Sequence, residues 1–163
     1  MLHEEWTTVQ RILVIQAGAR GDVAEPGAAI WSLVEPIARL QQAAPQANIV
    51  LLCAPTASQT ALALPDVAEI LIHPAASEQE LSDSTKALDL VDVLRSENFD
   101  VAIVFSDGQT SPHPFAYVCY LAGIPIRIGQ SQEFGGGVLT DWVKQRDAAD
   151  HPIELLNAIG IGA

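Results

Sequence analysis

The chain has 163 residues, 49% of them hydrophobic, which is enough apolar material for one compact domain with its own core. Eight Lys and Arg against 20 Asp and Glu give a net charge of -12, which argues against nucleic acid as a partner and against binding to an anionic membrane through charge alone. No apolar run approaches the roughly 20 residues of a membrane span, so no transmembrane segment is predicted.

Short apolar runs alternate with helical patterns along the chain and predict five buried parallel strands. The predicted strands are residues 11–16, 48–53, 68–73, 100–105 and 126–129. This alternation predicts an α/β fold, a Rossmann-like doubly wound parallel sheet with helices on both faces. Residues 1–163 are expected to form a single domain of this kind.

Apolar residues at helical spacing predict five helices between and after these strands. The first is expected to kink at Pro36, because proline inside a helix removes a backbone hydrogen bond. The third, within residues 77–98, is expected to bury one face, made by Leu88, Val91 and Leu94. The fourth and the last are expected to end on Gly123 and Gly160, since glycine is the usual residue after a helix C-terminus.

The two cysteines, Cys53 and Cys119, lie in separate apolar segments and lack the spacing of metal ligands. Such cysteines are typically small buried residues, and they indicate a reducing, cytoplasmic environment. The histidines His3, His73 and His151 share no metal-site spacing either. The sequence therefore predicts no metal.

Two loops are predicted to meet at the point where the strand order reverses. In an open parallel sheet, ligands bind beyond the carboxyl ends of the strands at this point, which in a Rossmann-like order falls between the first and fourth strands. The loop after the first strand, residues 17–26, carries Gly21 and Asp22. The polar residues of the loop after the fourth strand are Ser106, Asp107, Gln109, Thr110, Ser111 and His113.

The first loop does not fit a dinucleotide site. Gln16 stands where the leading glycine of G-x-G-x-x-G is required, and Asp22 near a helix N-terminus would repel a pyrophosphate. Asp22 itself has two interpretations, as an N-cap of the next helix or as a general base that takes a proton from a hydroxyl nucleophile. In the second loop, Asp107 has the alternative of an Asx-type turn, and His113 between two prolines is assigned a turn role.

Basic residues near the strand ends are candidates for contact with an anionic acceptor, because the chain is otherwise acidic. Arg127 is expected to follow the fifth strand, and Lys144 and Arg146 follow a Gly-rich loop at residues 133–137. For Lys144 and Arg146 the competing interpretation is an exposed, solvated charge.

Several segments resemble family 9 glycosyltransferases, the heptosyltransferase-like enzymes of bacterial surface polysaccharide synthesis. "RILVIQAGARGDV" resembles the opening of that family, and "LPDVAEIL" is similar to its segment around the third strand. The resemblance is strongest over residues 99–143, which include "LAGIP", "RIG" and the Gly-rich loop before "LT". "HPIELLNAIGI" is similar to the closing helix of the same half.

The resemblance implies the N-terminal, acceptor-side half of a GT-B enzyme, in which two Rossmann-like domains face each other across a cleft. Such an inverting glycosyltransferase moves a heptose-like sugar from a nucleotide-sugar to a hydroxyl of a cell-surface glycan or lipopolysaccharide-type, lipid-linked acceptor. Asp22 matches the family's proposed base. The expected acceptor-binding residues are Gly21, Ser106, Asp107, Thr110, Ser111 and Arg127.

The resemblance also implies partners. The nucleotide-sugar is a substrate, and no cofactor or metal is expected. The donor-binding C-terminal domain is not among residues 1–163, so the chain alone is expected to be inactive. The expected location is the cytoplasm, free or peripheral at the inner face of the inner membrane. The alternative function is a non-catalytic Rossmann-like binding or interaction domain that lacks the donor half.

Overall fold

The computed structural model describes residues 5–17, 33–106, 111–131, 136–144 and 152–161. Within these ranges one parallel sheet has six strands: β1 (Arg11–Ala17), β2 (Asn48–Cys53), β3 (Glu69–Ile72), β4 (Val101–Ser106), β5 (Ile126–Ser131) and β6 (Asp141–Lys144). Their order across the sheet is β3-β2-β1-β4-β5-β6. The predicted Rossmann-like order, with its reversal between the first and fourth strands, is therefore confirmed.

The described α-helices lie between or after these strands. They are α1 (Val34–Ala43), α2 (Ser58–Leu62), α3 (Glu78–Leu81), α4 (Ser84–Glu97), α5 (His113–Leu121) and α6 (Pro152–Ala158). Short 3-10 turns occur at Glu5–Thr8, Pro55–Ala57 and Gly136–Val138. All five predicted strands are present with ends that differ by no more than two residues. β3 lies at the edge of the sheet and has no buried residue, so the prediction that it is buried was wrong.

The sheet has a sixth strand that the sequence pattern did not predict. β6 has only four residues, begins and ends on charged side chains, and pairs with β5 alone at the edge of the sheet. An edge strand is solvated on one side, so it lacks the continuous apolar run that indicates a buried strand. The missed strand extends the sheet beyond β5 and places Trp142 and Lys144 in it.

Side chains that alternate along the strands build two separate cores, one on each face of the sheet. From β1, Ile12 and Val14 pack with Leu40 of α1 and Leu156 of α6. The neighbouring Leu13 and its alternates pack on the other face, where α4 and α5 lie. Because successive side chains of a strand point to opposite faces, both faces are apolar and both are covered by helices, which confirms the doubly wound arrangement.

The predicted kink at Pro36 is wrong, and the position of the helix start explains why. The α-helix begins at Val34, so Pro36 lies in its first turn. Backbone N–H groups of the first turn have no partner inside the helix, and a proline there breaks no hydrogen bond. Pro36 is buried together with Ile37 and Leu40 on the core side.

The predicted third helix is two helices, and its buried face differs from the predicted one. The carboxylate of Asp83 accepts hydrogen bonds from the backbone N–H groups of Thr85 and Lys86, which starts α4 as a new helix. Val91 and Leu94 are buried as predicted, but the third apolar residue of the face is Leu90. Leu88 is 60% exposed, so its assignment to the core was wrong.

A glycine in the left-handed backbone conformation follows both α5 and α6, which confirms the helix ends that the sequence predicted. Gly123 has φ 81° after α5, and Gly160 has φ 94° after α6. These angles are strained for side chains with a Cβ, and glycine adopts them freely. At the end of α4 the same conformation is taken by Asn98 with φ 55°.

Candidate functional site at the carboxyl edge of the sheet

The strand ends meet where the sequence predicted the site. β1 lies between β2 and β4, so the order of connection reverses at the β1–β4 pair. The last residues of these strands, Ala17 and Ser106, are partners in the parallel register. The two loops expected to form the site therefore leave the sheet from adjacent positions.

Four of the predicted site residues belong to these two loops but not to the described part of the chain. Gly21 and Asp22 fall within residues 18–32, and Asp107 and Thr110 fall within residues 107–110. Their predicted roles remain predictions, and so do both interpretations of Asp22.

Ser106 and Ser111 flank the second loop at the carboxyl edge. Ser106 is half-buried at the end of β4 and, by strand alternation, lies on the face that carries α4 and α5. Ser111 is exposed, and its hydroxyl accepts a hydrogen bond from the backbone N–H of His113 at 3.2 Å. Ser111 therefore helps to start α5, and its hydroxyl lies at the surface of the same edge.

His113, Ser131 and Trp142 form a hydrogen-bonded group that joins three elements at this edge. His113 is the first residue of α5, Ser131 is the last residue of β5, and Trp142 lies in β6. The indole Nε1 of Trp142 donates to the Ser131 hydroxyl at 2.9 Å, and Nε2 of His113 lies 3.1 Å from the same oxygen. Ser131 is only 8% exposed, so this hydroxyl is held inside the fold.

The chemistry of the three groups defines what this arrangement does. An indole N–H is a donor only, so the Ser131 oxygen accepts from Trp142. The single hydroxyl proton is then available to Nε2 of His113 when the imidazole carries its own proton on Nδ1. The group orients both rings and fixes the beginning of α5 against the ends of β5 and β6.

The sequence prediction did not find this group. The fifth strand was expected to end at residue 129, which put Ser131 in a loop, and β6 was not predicted at all. His113 was assigned a turn role, and its backbone does start a helix, but its side chain also binds across the edge. Had the fifth strand been extended to residue 131, Ser131 would have been a polar residue at its carboxyl end, and this is the signal in the sequence that could have indicated the group.

Arg127 does not lie where the sequence predicted it. It is the second residue of β5 and so lies near the amino end of the strand, away from the carboxyl edge. Its guanidinium donates to the carbonyl oxygens of Ile124 and Val138, both at 2.6 Å, and lies over the ring of Tyr120. With 9% of its surface exposed, Arg127 holds the turn before β5 to the segment before β6, and we leave it out of the candidate site.

Among the described residues, Lys144 is a basic residue that lies at the carboxyl edge. It is the last residue of β6, it is exposed, and its register partner in β5 is Ser131. Since partners in a parallel pair share a face, Lys144 lies on the α5 side of the sheet. The hydroxyl of Ser131 and the ammonium of Lys144 therefore belong to one edge and one face.

Gln16 lies beside the β1–β4 switch point, on the face of the sheet opposite to α4 and α5. Its side-chain amide donates to the carbonyl of Ala17 at 3.2 Å, and its Oε1 is buried with no hydrogen-bond partner in the described part of the chain. Its register partner is Phe105, next to the end of β4. A side chain of this size fills the place where a dinucleotide fold has a glycine.

Both cysteines are buried and free, as predicted. Burial raises the pKa of the Cys119 thiol to about 12, although the charge of Arg127 opposes the shift. Burial also raises the pKa of Cys53. A neutral, enclosed thiol is a poor nucleophile, so the chemistry of the edge is carried by oxygen and nitrogen groups.

The histidine at the end of β3 is also tied into the fold. His73 accepts a hydrogen bond from the backbone N–H of Ala75 on Nδ1 and contacts the Asp89 carboxylate through Nε2 at 2.6 Å. With Nδ1 as acceptor, Nε2 carries the proton and donates to Asp89. Within the described ranges, no group of three His, Cys, Asp or Glu side chains is placed to hold a metal ion.

The fold is similar to those of two solved glycosyltransferase structures. A glycosyl transferase family 9 protein from Veillonella parvula superposes on 93% of this chain with a TM-score of 0.66 and 21% sequence identity. The E. coli ADP-heptose lps heptosyltransferase II superposes on 82% with a TM-score of 0.59 and 22% identity. This chain has the fold of part of a family 9 glycosyl transferase.

The chain is much shorter than these proteins. It covers 42% of the Veillonella chain and 34% of the E. coli chain, so the shared fold is less than half of each. A scan against protein-family models found no match, and a search of curated proteins found none either. No helix in the described residues is long and apolar enough to cross a membrane.

Proposed function

We propose that this chain is the acceptor-side domain of an inverting glycosyltransferase of the GT-B type. The observation that carries the proposal is the strand order with its β1–β4 switch point, together with a fold that is similar over 93% of the chain to a family 9 glycosyl transferase. In this fold class ligands bind at that edge. The polar side chains that flank the second loop at this edge, Ser106 and Ser111, suit a hydroxylated acceptor, and the His113–Ser131 contact holds the start of α5 beside them.

The proposed reaction is transfer of a heptose-like sugar from a nucleotide-sugar to an acceptor hydroxyl of a cell-surface glycan or lipopolysaccharide-type molecule. Asp22, in the loop after β1, is the proposed base. It removes the proton of the acceptor hydroxyl as the oxygen attacks the sugar carbon, and the nucleoside diphosphate leaves from the opposite side. No metal or other cofactor is part of this proposal, and the site is proposed to work in the cytoplasm.

The proposed division of labour assigns the donor to a second domain. Asp22 belongs to the loop that follows β1, and its carboxylate is proposed to disfavour a diphosphate there by charge repulsion, so the nucleotide is expected to bind elsewhere. The chain alone should therefore bind nucleotide-sugars weakly and transfer no sugar. The proposed partner that completes the enzyme is a donor-binding domain, which would correspond to a part of the two longer solved chains that this chain does not cover.

The test is a glycosyl-transfer assay on the gene product that contains this chain. Release of nucleoside diphosphate is measured with a panel of nucleotide-sugars, with and without lipopolysaccharide-core and other glycan acceptors. Acceptor-dependent release with inversion at the transferred sugar supports the proposal. The absence of acceptor-dependent release across the panel favours the alternative, a non-catalytic binding or interaction domain.

A further inference from the structure

The strand β3 forms one edge of the sheet and exposes apolar side chains there. In the described part of the chain it pairs with β2 alone, so alternate backbone N–H and C=O groups face away from the sheet. Ile72 is 50% exposed, and Ile70 and Leu71 are half-buried. β6, at the opposite edge, begins and ends on charged residues, whereas the one charged residue of β3 is Glu69. β3 therefore lacks most of the charge with which edge strands avoid pairing with another chain.

A second exposed apolar side chain lies beside this strand. Leu62, the last residue of α2, is 71% exposed. α2 packs against β3, and Ala61 of α2 belongs to the same core as Ile70. Ile72 shares the face of Ile70, because residues two apart in a strand point to the same side. Leu62 and Ile72 therefore expose apolar surface on one face of the sheet beside the same edge.

The sequence of residues 69–73, EILIH, is complementary to itself in the antiparallel direction. When two copies pair with Leu71 opposite Leu71, Ile70 of each copy lies opposite Ile72 of the other. Glu69 then lies opposite His73, so no like charges face each other. Directly opposite residues share a face, so this register keeps the α2 faces of both copies on one side. A register centred on Glu69 places two carboxylates opposite each other instead.

The net charge of the chain acts against self-association, but little of it lies in this strand. Each copy carries a net charge of -12, so two copies repel each other at low ionic strength. At physiological ionic strength, exposed charges separated by more than about 8 Å are largely screened. The carboxylate of Glu69 lies 3.7 Å from the guanidinium of Arg11. Association through β3 should therefore strengthen as salt is added.

We propose that β3 pairs with β3 of a second copy of this chain, antiparallel and centred on Leu71, and so joins the sheets of the two copies across a two-fold axis. Such an interface is isologous, because each copy presents the same surface. Backbone hydrogen bonds between the strands provide the affinity, and the apolar cross-strand pairs fix the register. β2 lies between β3 and β1, so this pairing does not involve the β1–β4 switch point and does not depend on sugar transfer.

The first test is sedimentation equilibrium of the 163-residue chain over a range of protein and NaCl concentrations. A reversible monomer–dimer equilibrium that strengthens with salt is expected. Ile72→Lys should weaken dimerisation about tenfold, because a two-fold interface loses two apolar cross-strand pairs and gains a charge on both edge strands. The matched control is Leu88→Lys, which replaces a 60% exposed leucine on α4 and should leave the dissociation constant unchanged.

The second test measures the register by disulfide cross-linking. Directly opposite residues of an antiparallel pair have Cα atoms about 4.5–5.5 Å apart, which a disulfide can bridge. Under mild oxidation Leu71→Cys should therefore form a covalent dimer, whereas Ile72→Cys, opposite Ile70, should form little. The parent chain is the control, because its own Cys53 and Cys119 are buried.

Three results would each overturn the inference. The first is a parent chain that stays monomeric at every protein and salt concentration. The second is a dissociation constant that Ile72→Lys leaves unchanged. The third is cross-linking through residue 72 in place of residue 71.

Discussion

The imidazole Nε2 of His113 lies 3.1 Å from the hydroxyl of Ser131, which joins the start of α5 to the end of β5. Trp142 donates to the same oxygen, so one buried hydroxyl connects a helix and two strands at the carboxyl edge. The second proposed loop ends where α5 begins. The start of α5 is therefore held by a contact between residues 18 positions apart in the chain.

Removing the Ser131 hydroxyl should loosen this edge. Ser131→Ala removes the hydroxyl oxygen that both the Trp142 indole and the His113 imidazole contact. Because these groups lose that partner, the free energy of unfolding should fall by about 1–3 kcal/mol. Urea titration measures it. Ser96→Ala is the control, because Ser96 bonds only a carbonyl of its own exposed helix turn and should change stability by less than about 0.5 kcal/mol. Equal effects of the two variants would contradict the bridging role.

Arg127 is expected to act on stability and not on acceptor binding. Arg127→Met removes the donors that satisfy the carbonyls of Ile124 and Val138, and should lower the free energy of unfolding by about 2–3 kcal/mol. The acceptor KM of the active gene product should stay unchanged within error at a temperature where the variant is folded. A large rise in that KM with little loss of stability would restore the original prediction for Arg127.

The stability of the fold should fall in alkaline solution through Cys119. The folded pKa is raised from 9.0 to about 12, so the thiol keeps its proton in the native state after the unfolded chain has lost it. This contribution is fully present below pH 9 and is lost as the pH rises toward 12, by about 1.4 kcal/mol per pH unit. Unfolding free energies at pH 7 and pH 10 should differ less in Cys119→Ala than in the parent chain. An identical pH dependence in both proteins would show that the buried thiol does not contribute.

The two interpretations of Asp22 are separated by two substitutions. If it is the base, Asp22→Asn should lower turnover by roughly 10²–10⁴-fold with little change in substrate binding, because an amide does not accept the acceptor's proton. If it is only a cap, Asn should support nearly normal turnover, since Asn caps a helix about as well as Asp, and Ala should lower stability by about 1 kcal/mol. Turnover of the gene product and urea unfolding are the two measurements. Parental turnover in the Asn variant refutes catalysis by Asp22.

The local pattern of the sequence determined the fold class, the positions of five strands and the glycine helix ends. These features depend on hydrophobic periodicity and backbone preference, which are properties of neighbouring residues. The same pattern placed the two loops at one edge, because parallel strands that alternate with helices bring their carboxyl ends together.

Only the tertiary structure decided which side chains meet at that edge and which do not. β6 is stabilised by pairing with β5 and not by an apolar run of its own, so its Trp142 and Lys144 had no place in a local pattern. Ser131 and His113 meet across the edge, while the guanidinium of Arg127 binds the backbone carbonyl of Ile124, before the start of its own strand. Leu88 fits the apolar pattern of α4 yet faces solvent, because the choice between neighbouring apolar residues is made by the surface that the helix packs against.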